Sequence, residues 1–236
     1  MEIDELRRLS AKEELSLNYI AKDEKISEIL LKLQDIEKII LKGGTAINRV
    51  YLKTKRFSED IDFDIIVNGN LKQALAKTKE IVDTIKGFNI EMARIMNQTI
   101  RYDLTYTNLL QHKDKIRLEF RHLKKANTYS KKVVNFGYVP YDSALLNVYE
   151  LEELIIHKLN CIINRKEGKD FFDLYYLLDL PHKRIKFSKD KIIERLNLDD
   201  KEIKAISNVI NHYIPKDKRP DWSLFLEELK EKIKRY

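Results

Sequence analysis

Apolar residues along the first forty positions recur at helical spacing. Leu6, Leu9, Leu15, Leu17 and Ile20 form one set, and Ile26, Ile29, Leu30, Leu33 and Ile36 continue it after the polar break at 22–25. Residues 36–41 are a short apolar run that reads as a buried strand, ended by Gly43-Gly44, with a helix predicted over 45–52. At Asp60 the period changes to two: Asp60, Asp62 and Asp64 alternate with Ile61, Phe63 and Ile65, the signature of a strand with one buried face. Asn68-Gly69-Asn70 marks a turn, and Leu71, Leu75, Ile81, Val82 and Ile85 predict a helix over 71–85 that Gly87 can stop. Three β-like runs follow, at 90–96, 99–107 and 115–122, the last two flanking a polar connection as in a long-looped hairpin. Residues 129–140 read as irregular. From Ser143 onward the pattern is helical, with helices predicted over 151–165, 169–178, 188–196, 200–213 and 222–234 and prolines 181, 215 and 220 between them.

The predicted fold class is α+β: a small mixed sheet flanked by helices over 1–142, N-terminal helices included, then an all-helical domain over 143–236. A chain of 236 residues can bury the core this needs. Six Gly and four Pro exclude collagen-like and loop-rich disulfide classes. The single cysteine, Cys161, excludes an internal disulfide and a multi-cysteine zinc site, and suits a reducing, cytoplasmic compartment. No apolar run approaches the roughly 18 residues of a membrane span, and the acidic start, Met1-Glu2-Ile3-Asp4-Glu5, lacks the layout of a signal peptide. Lys and Arg total 45 against 38 Asp and Glu, a net charge of +7. That favours polyanionic partners such as nucleic acid or nucleotides, although a lysine-rich solvated surface accounts for it as well.

The chemistry concentrates in Lys42-Gly43-Gly44-Thr45 and Arg56-Phe57-Ser58-Glu59-Asp60-Ile61-Asp62-Phe63. A strand running into two glycines and a helix exposes backbone N–H groups to a phosphate, with Thr45 adding a hydroxyl. Asp60 and Asp62 share a strand face, where they repel unless a cation neutralises them. Magnesium, completing its shell with substrate phosphates, fits such a pair. Alone, a Gly-Gly is usually a turn and an Asp-x-Asp a solvated face; their occurrence together on adjoining elements is what points to function. Glu119, in Ile116-Arg117-Leu118-Glu119-Phe120, offers a third carboxylate, and Asp103 competes with it. Either can instead pair with Arg101 or Arg117 across the hairpin. A second cluster places Lys158 on an otherwise apolar stripe with Leu151, Ile155 and Ile162, followed by Lys169-Asp170-Phe171-Phe172-Asp173. Such a lysine snorkels or meets an anion. Asp170 at a helix start can simply offset the dipole. His157 reads as packing or solvent contact.

Taken together, the Gly-Gly-Thr, Arg-Phe-Ser-Glu-Asp-Ile-Asp-Phe, Glu-Glu-Leu-Ile-x-x-Lys-Leu and Lys-Asp-Phe-Phe-Asp-Leu-Tyr blocks resemble the AbiEii/AbiGii nucleotidyltransferase toxin family, within the DNA polymerase β-like nucleotidyltransferase superfamily. The resemblance runs from about residue 36 to about residue 180. It implies an N-terminal nucleotidyltransferase core with a helical half completing the active-site cleft. It implies that Lys42, Gly43, Gly44, Thr45, Arg56, Ser58 and Lys158 bind a nucleoside triphosphate. Asp60 and Asp62, with Glu119 as a third carboxylate at a less uniform position of the superfamily, would hold Mg2+, and Lys158 and Asp170 would act at the catalytic centre. The family often carries Ser where Gly44 stands. The activity implied is transfer of a nucleoside monophosphate to an RNA, the tRNA 3′ end, blocking translation, with a cognate antitoxin as partner. The rival readings are a small-molecule acceptor and a non-catalytic nucleotide- or RNA-binding module, with a protein acceptor also open.

Overall fold

The computed structural model describes residues 2–139 and 143–236. The chain divides into two units, Met1–Glu150 and Leu151–Tyr236.

In the first unit, the two N-terminal helical patterns become α1 (Ile3–Glu13) and α2 (Leu17–Lys32). Seven strands follow: β1 (Ile39–Lys42), β2 (Asp60–Ile66), β3 (Asn89–Met96), β4 (Thr99–Thr107), β5 (Lys113–Leu123), β6 (Tyr129–Asn135) and β7 (Ser143–Tyr149). They form one mixed sheet in the order β3-β4-β5-β2-β1-β7-β6. The β2/β5 and β1/β7 pairs are parallel and the others antiparallel. The period-two alternation sorts this sheet into faces. Ile61, Phe63, Ile65, Ile100, Leu104, Ile116, Leu118 and Phe120 are completely buried on one face, where the Phe63 and Phe120 rings stack 5.7 Å apart. Helices α2 and α4 (Leu71–Val82) pack against the sheet. Asn70 caps α4 by accepting from the Gln73 N–H, which fixes the helix start at the turn. The opposite face carries the Asp60, Asp62 and Asp64 series.

Several elements differ from expectation. Residues 45–52 are not one helix: α3 (Gly43–Ala46) passes into a π-helical turn, Ile47–Tyr51. That turn carries Arg49, which is buried and pairs with Asp23 of α2 at 2.7 Å. Asp23 also accepts from the Tyr138 N–H at 2.8 Å, so an interior charge is matched and hydrogen-bonded. The segment read as irregular contains β6, whose consecutive lysines at 131 and 132 hide its alternation. The helical reading from Ser143 is wrong for seven residues, because 143–149 are β7. Ala144, Leu146 and Val148 do alternate and are buried, but exposed Leu145 sits among them and blurs the period. The expected domain boundary at 142, like Pro140, lies outside the described residues.

The second unit has α5 (Leu151–Asn164), α6 (Gly168–Leu177), α7 (Lys189–Leu196), α8 (Asp200–Ile210) and α9 (Trp222–Arg235). Its core is aromatic: Phe172 stacks on Phe225 at 6.0 Å, with Trp222 beside both. Gly168 lets α6 approach α8, since a Cβ there would meet an Ile206 methyl at 2.5 Å. Among the described residues no helix is long and apolar enough to cross a membrane.

Candidate active site

The β1–α3 turn and β2 are built against one another. Gly43 has φ +68°, a backbone conformation that side-chain-bearing residues rarely adopt, and a Cβ on it would collide with the Asp62 carboxylate. Gly44 is equally confined, because a Cβ there would lie 2.7 Å from Ser58 Oγ and from an Arg56 guanidinium nitrogen. The glycines are therefore needed for the close approach of the turn to the Asp-x-Asp strand. Thr45 is buried; its hydroxyl donates to the Asp60 carbonyl at 2.5 Å and lies 3.2 Å from Ser58 Oγ. Asn48 donates to the Gly44 carbonyl and accepts from the Arg56 N–H. Arg56 is itself buried, with one guanidinium nitrogen donating to the Phe57 carbonyl at 2.8 Å. Thr45 and Arg56, expected at the nucleotide, thus brace the turn, while Gly43, Gly44, Ser58, Asp60 and Asp62 retain partial exposure.

Asp60 and Asp62 lie on the polar face of β2, with Lys42 opposite Asp62 on β1. Lys42 Nζ donates to Asp64, whose other carboxylate oxygen accepts from the Tyr149 hydroxyl at 2.6 Å. Asp64 is consequently buried and committed, which separates it from the first two aspartates. Tyr149 of β7 closes this arrangement and had no signal in the sequence beyond its alternation with Val148. Across the other side of β2, Asp60 pairs in register with Arg117 and Asp62 with Glu119. Glu119 thus stands between Asp62 on β2 and Arg101 on β4, a carboxylate on one side and a cation on the other. Among the described residues no group of three or more Asp, Glu, His or Cys side chains is placed to hold a metal ion. Asp103 is taken by Arg101 at 3.1 Å and Lys115 at 2.8 Å. Although burial pushes its carboxyl up, these two cations hold it below the ordinary carboxylate range.

In the second unit, Lys158 does not snorkel. It is buried, and its Nζ lies 2.8 Å from Asp170 Oδ1 and 2.8 Å from Asp173 Oδ2. Arg165 Nε donates to Asp170 Oδ2 at 2.8 Å. Both aspartates are completely buried. Burial pushes the Asp170 carboxyl up, but Lys158 and Arg165 outweigh it and hold the group below the ordinary range. Asp173, three residues after Asp170, is the partner that sequence spacing left without a role.

The family model described as "Nucleotidyl transferase AbiEii toxin, Type IV TA system" matches residues 27–235. No curated protein matches. Among solved structures, the nucleotidyltransferase toxin MenT4 from Mycobacterium tuberculosis is similar with a TM-score of 0.63 and 15% identity, over 100% of this chain and 90% of that one. JHP933 from Helicobacter pylori gives a TM-score of 0.56 at 18% identity, over 94% of this chain and 95% of that one. A structure titled as a nucleotidyltransferase from the same bacterium gives 0.54 at 18%, over 94% and 98%. At such identities these likenesses establish the fold.

Proposed function

The chain belongs to the AbiEii family of nucleotidyl transferase toxins of type IV toxin–antitoxin systems, and from that premise we propose that it transfers a nucleoside monophosphate from a nucleoside triphosphate to an RNA acceptor. The observation that carries this reading is the apposition of the Gly43-Gly44 turn to Asp60 and Asp62, at a spacing no side chain would permit. A triphosphate laid along the glycine turn brings its phosphate oxygens beside the aspartate pair.

The carboxylates of Asp60 and Asp62 fit Mg2+, a hard ion that takes one or two protein carboxylates and draws its remaining ligands from phosphate and water. When bound, it would neutralise charge on the phosphates and favour in-line displacement at the α-phosphorus. The chain's own residues do the positioning. Gly43 and Gly44 admit the phosphates, Ser58 borders them, and Lys42, through Asp64 and Tyr149, keeps β1 in register with β2. Asp170, held anionic between Lys158 and Arg165, is a poor proton acceptor. It orients Lys158 and does not deprotonate the acceptor hydroxyl.

The acceptor we infer is the 3′ end of a tRNA, whose modification would block translation in the cytoplasm, with a cognate antitoxin as partner. The net charge of +7 supports a polyanionic acceptor. The test is incubation with each labelled nucleoside triphosphate, Mg2+ and total RNA, resolved on a denaturing gel. Label on a tRNA-sized band is expected. Label on a small hydroxylated compound alone would assign a small-molecule acceptor, and no label under any nucleotide would leave a binding module.

A further inference from the structure

Arg117 of β5 lies between Asp60 of β2 and Asp103 of β4, each its direct neighbour in register. An ion pair on both sides would be the ordinary outcome for such a residue. It does not form. Asp103 is already bound by Arg101 and Lys115. Towards Asp60, Arg117 makes one contact, from a terminal nitrogen to Oδ2 at 3.4 Å, near the limit for a hydrogen bond. A guanidinium has five N–H donors in a rigid fork. Arg117 Nε is buried and has no partner, the only such side-chain nitrogen or oxygen among the described residues. As the side chain stands, Nε has no contact with water either, and a buried donor without an acceptor is destabilising. The side chain as a whole stays 40% exposed, so it has room to turn Nε and a terminal nitrogen together toward an incoming group.

The missing acceptor must be an oxygen that arrives from outside, in the plane of the fork, beside the Asp-x-Asp pair. Asp103, its other neighbour, is already matched by Arg101 and Lys115, so the complement is a mobile oxyanion. Paired N–H groups of arginine suit the geometry of phosphate oxygens. We propose that Arg117 is a phosphate-binding residue of the active site, donating Nε–H and a terminal N–H to an anionic phosphate oxygen of the triphosphate or of the acceptor backbone. The proposal rests on the nucleotidyl-transfer reading of this face. Its contact with Asp60 would then hold that carboxylate in place until the phosphate arrives.

The test uses the full chain with Arg117→Met, which removes the donors, and Arg117→Lys, which keeps the charge opposite Asp60 but not the fork. Binding of inorganic tripolyphosphate and of an RNA oligonucleotide is measured without divalent metal, and KM is measured for nucleotide and RNA in the transfer assay. Arg117→Met should weaken binding of one of the two probes at least about tenfold, or 1.4 kcal/mol, with a matching rise in one KM. Arg117→Lys should recover only part of that loss. A change confined to tripolyphosphate and the nucleotide KM assigns the triphosphate; one confined to RNA assigns the acceptor. If Arg117→Met weakens neither probe, or Arg117→Lys binds both as wild type does, the proposal fails. Should the wild-type protein label no RNA, the acceptor reading falls, while the metal-free titrations still decide the role of Arg117.

Discussion

Two clusters in this chain use the same ingredients, a cation beside two aspartates, and resolve them in opposite ways. On β2, Asp60 and Asp62 sit on a partly exposed sheet face, and Arg117 makes one long contact to Asp60. Around α5 and α6, Lys158 is enclosed with Asp170 and Asp173 at 2.8 Å each, and Arg165 completes the set. A buried ion network is tolerable only when every member is matched, because desolvation costs several kcal/mol per ion. A partly exposed carboxylate pair faces no such demand and can answer to a ligand. The lesson is that satisfaction, and not residue type, separates a positioning element from a binding face.

The largest expected effect follows from the open pair. Asp60→Ala or Asp62→Ala should lower the transfer rate at least about 10³-fold, while the melting temperature stays near wild type. Removing a carboxylate from a face that holds two relieves repulsion. Single-turnover assays with calorimetry on the same samples check both halves. Full activity in either variant, or loss of activity through unfolding, would break the contrast drawn between the clusters.

The closed network gives the next effect, and here the structure reverses the sign expected from sequence alone. A lysine on an apolar stripe looks dispensable, so Lys158→Ala reads as neutral or mildly stabilising. With two buried aspartates depending on it, Lys158→Met should instead cost about 3–5 kcal/mol of stability, the penalty for stranding a buried charge. Urea unfolding measures this directly. A loss under about 1 kcal/mol would mean that the network is not a structural unit.

This reversal shows what the sequence could and could not convey. The Asp-x-Asp face, the Gly-Gly turn and most helices were legible because they are local: period two, period 3.6, and glycines at a strand end. Partnerships were not. Arg49 with Asp23, Tyr149 with Asp64, and Asp173 with Lys158 join residues whose pairing depends on tertiary placement. For the same reason alternation alone could not place Glu119, which the register sets between Asp62 and Arg101. β7 was missed where one exposed leucine interrupted an alternating run beside a strongly helical segment. Thr45 and Arg56 read as ligand contacts by position, but their side chains are buried in the turn's own hydrogen bonds.

A smaller effect should come from the turn that holds the open pair. Gly43→Ala introduces a Cβ at φ +68° against the Asp62 carboxylate. Backbone strain of this kind costs on the order of 1–3 kcal/mol, and relief requires Asp62 to move. Transfer should therefore fall by more than the loss in stability accounts for. A variant equally destabilised but fully active, assayed below its unfolding temperature, would show that Asp62 does not need its present position.

The smallest effect is a pH dependence that the closed network should show through Asp170. Its folded-state pKa lies below the ordinary value, since Lys158 and Arg165 outweigh the burial that pushes it up. A carboxylate with a depressed folded pKa contributes stability that is fully present above its unfolded pKa, near about 4. That contribution is lost as pH falls through the still lower folded value. Asp170→Asn removes the titration while keeping the shape of the side chain. The stability gap between wild type and Asp170→Asn should hence be constant from about pH 6 to 8 and close progressively below about pH 4. Although burial pushes the Arg165 guanidinium down, Asp170 holds it above its ordinary range, so Arg165 stays charged throughout. Denaturant titrations of both proteins at stepped pH provide the comparison. A gap that persists unchanged well into acid, or one that closes already near neutrality, would mean that Asp170 does not fold as the anion bridging the two cations.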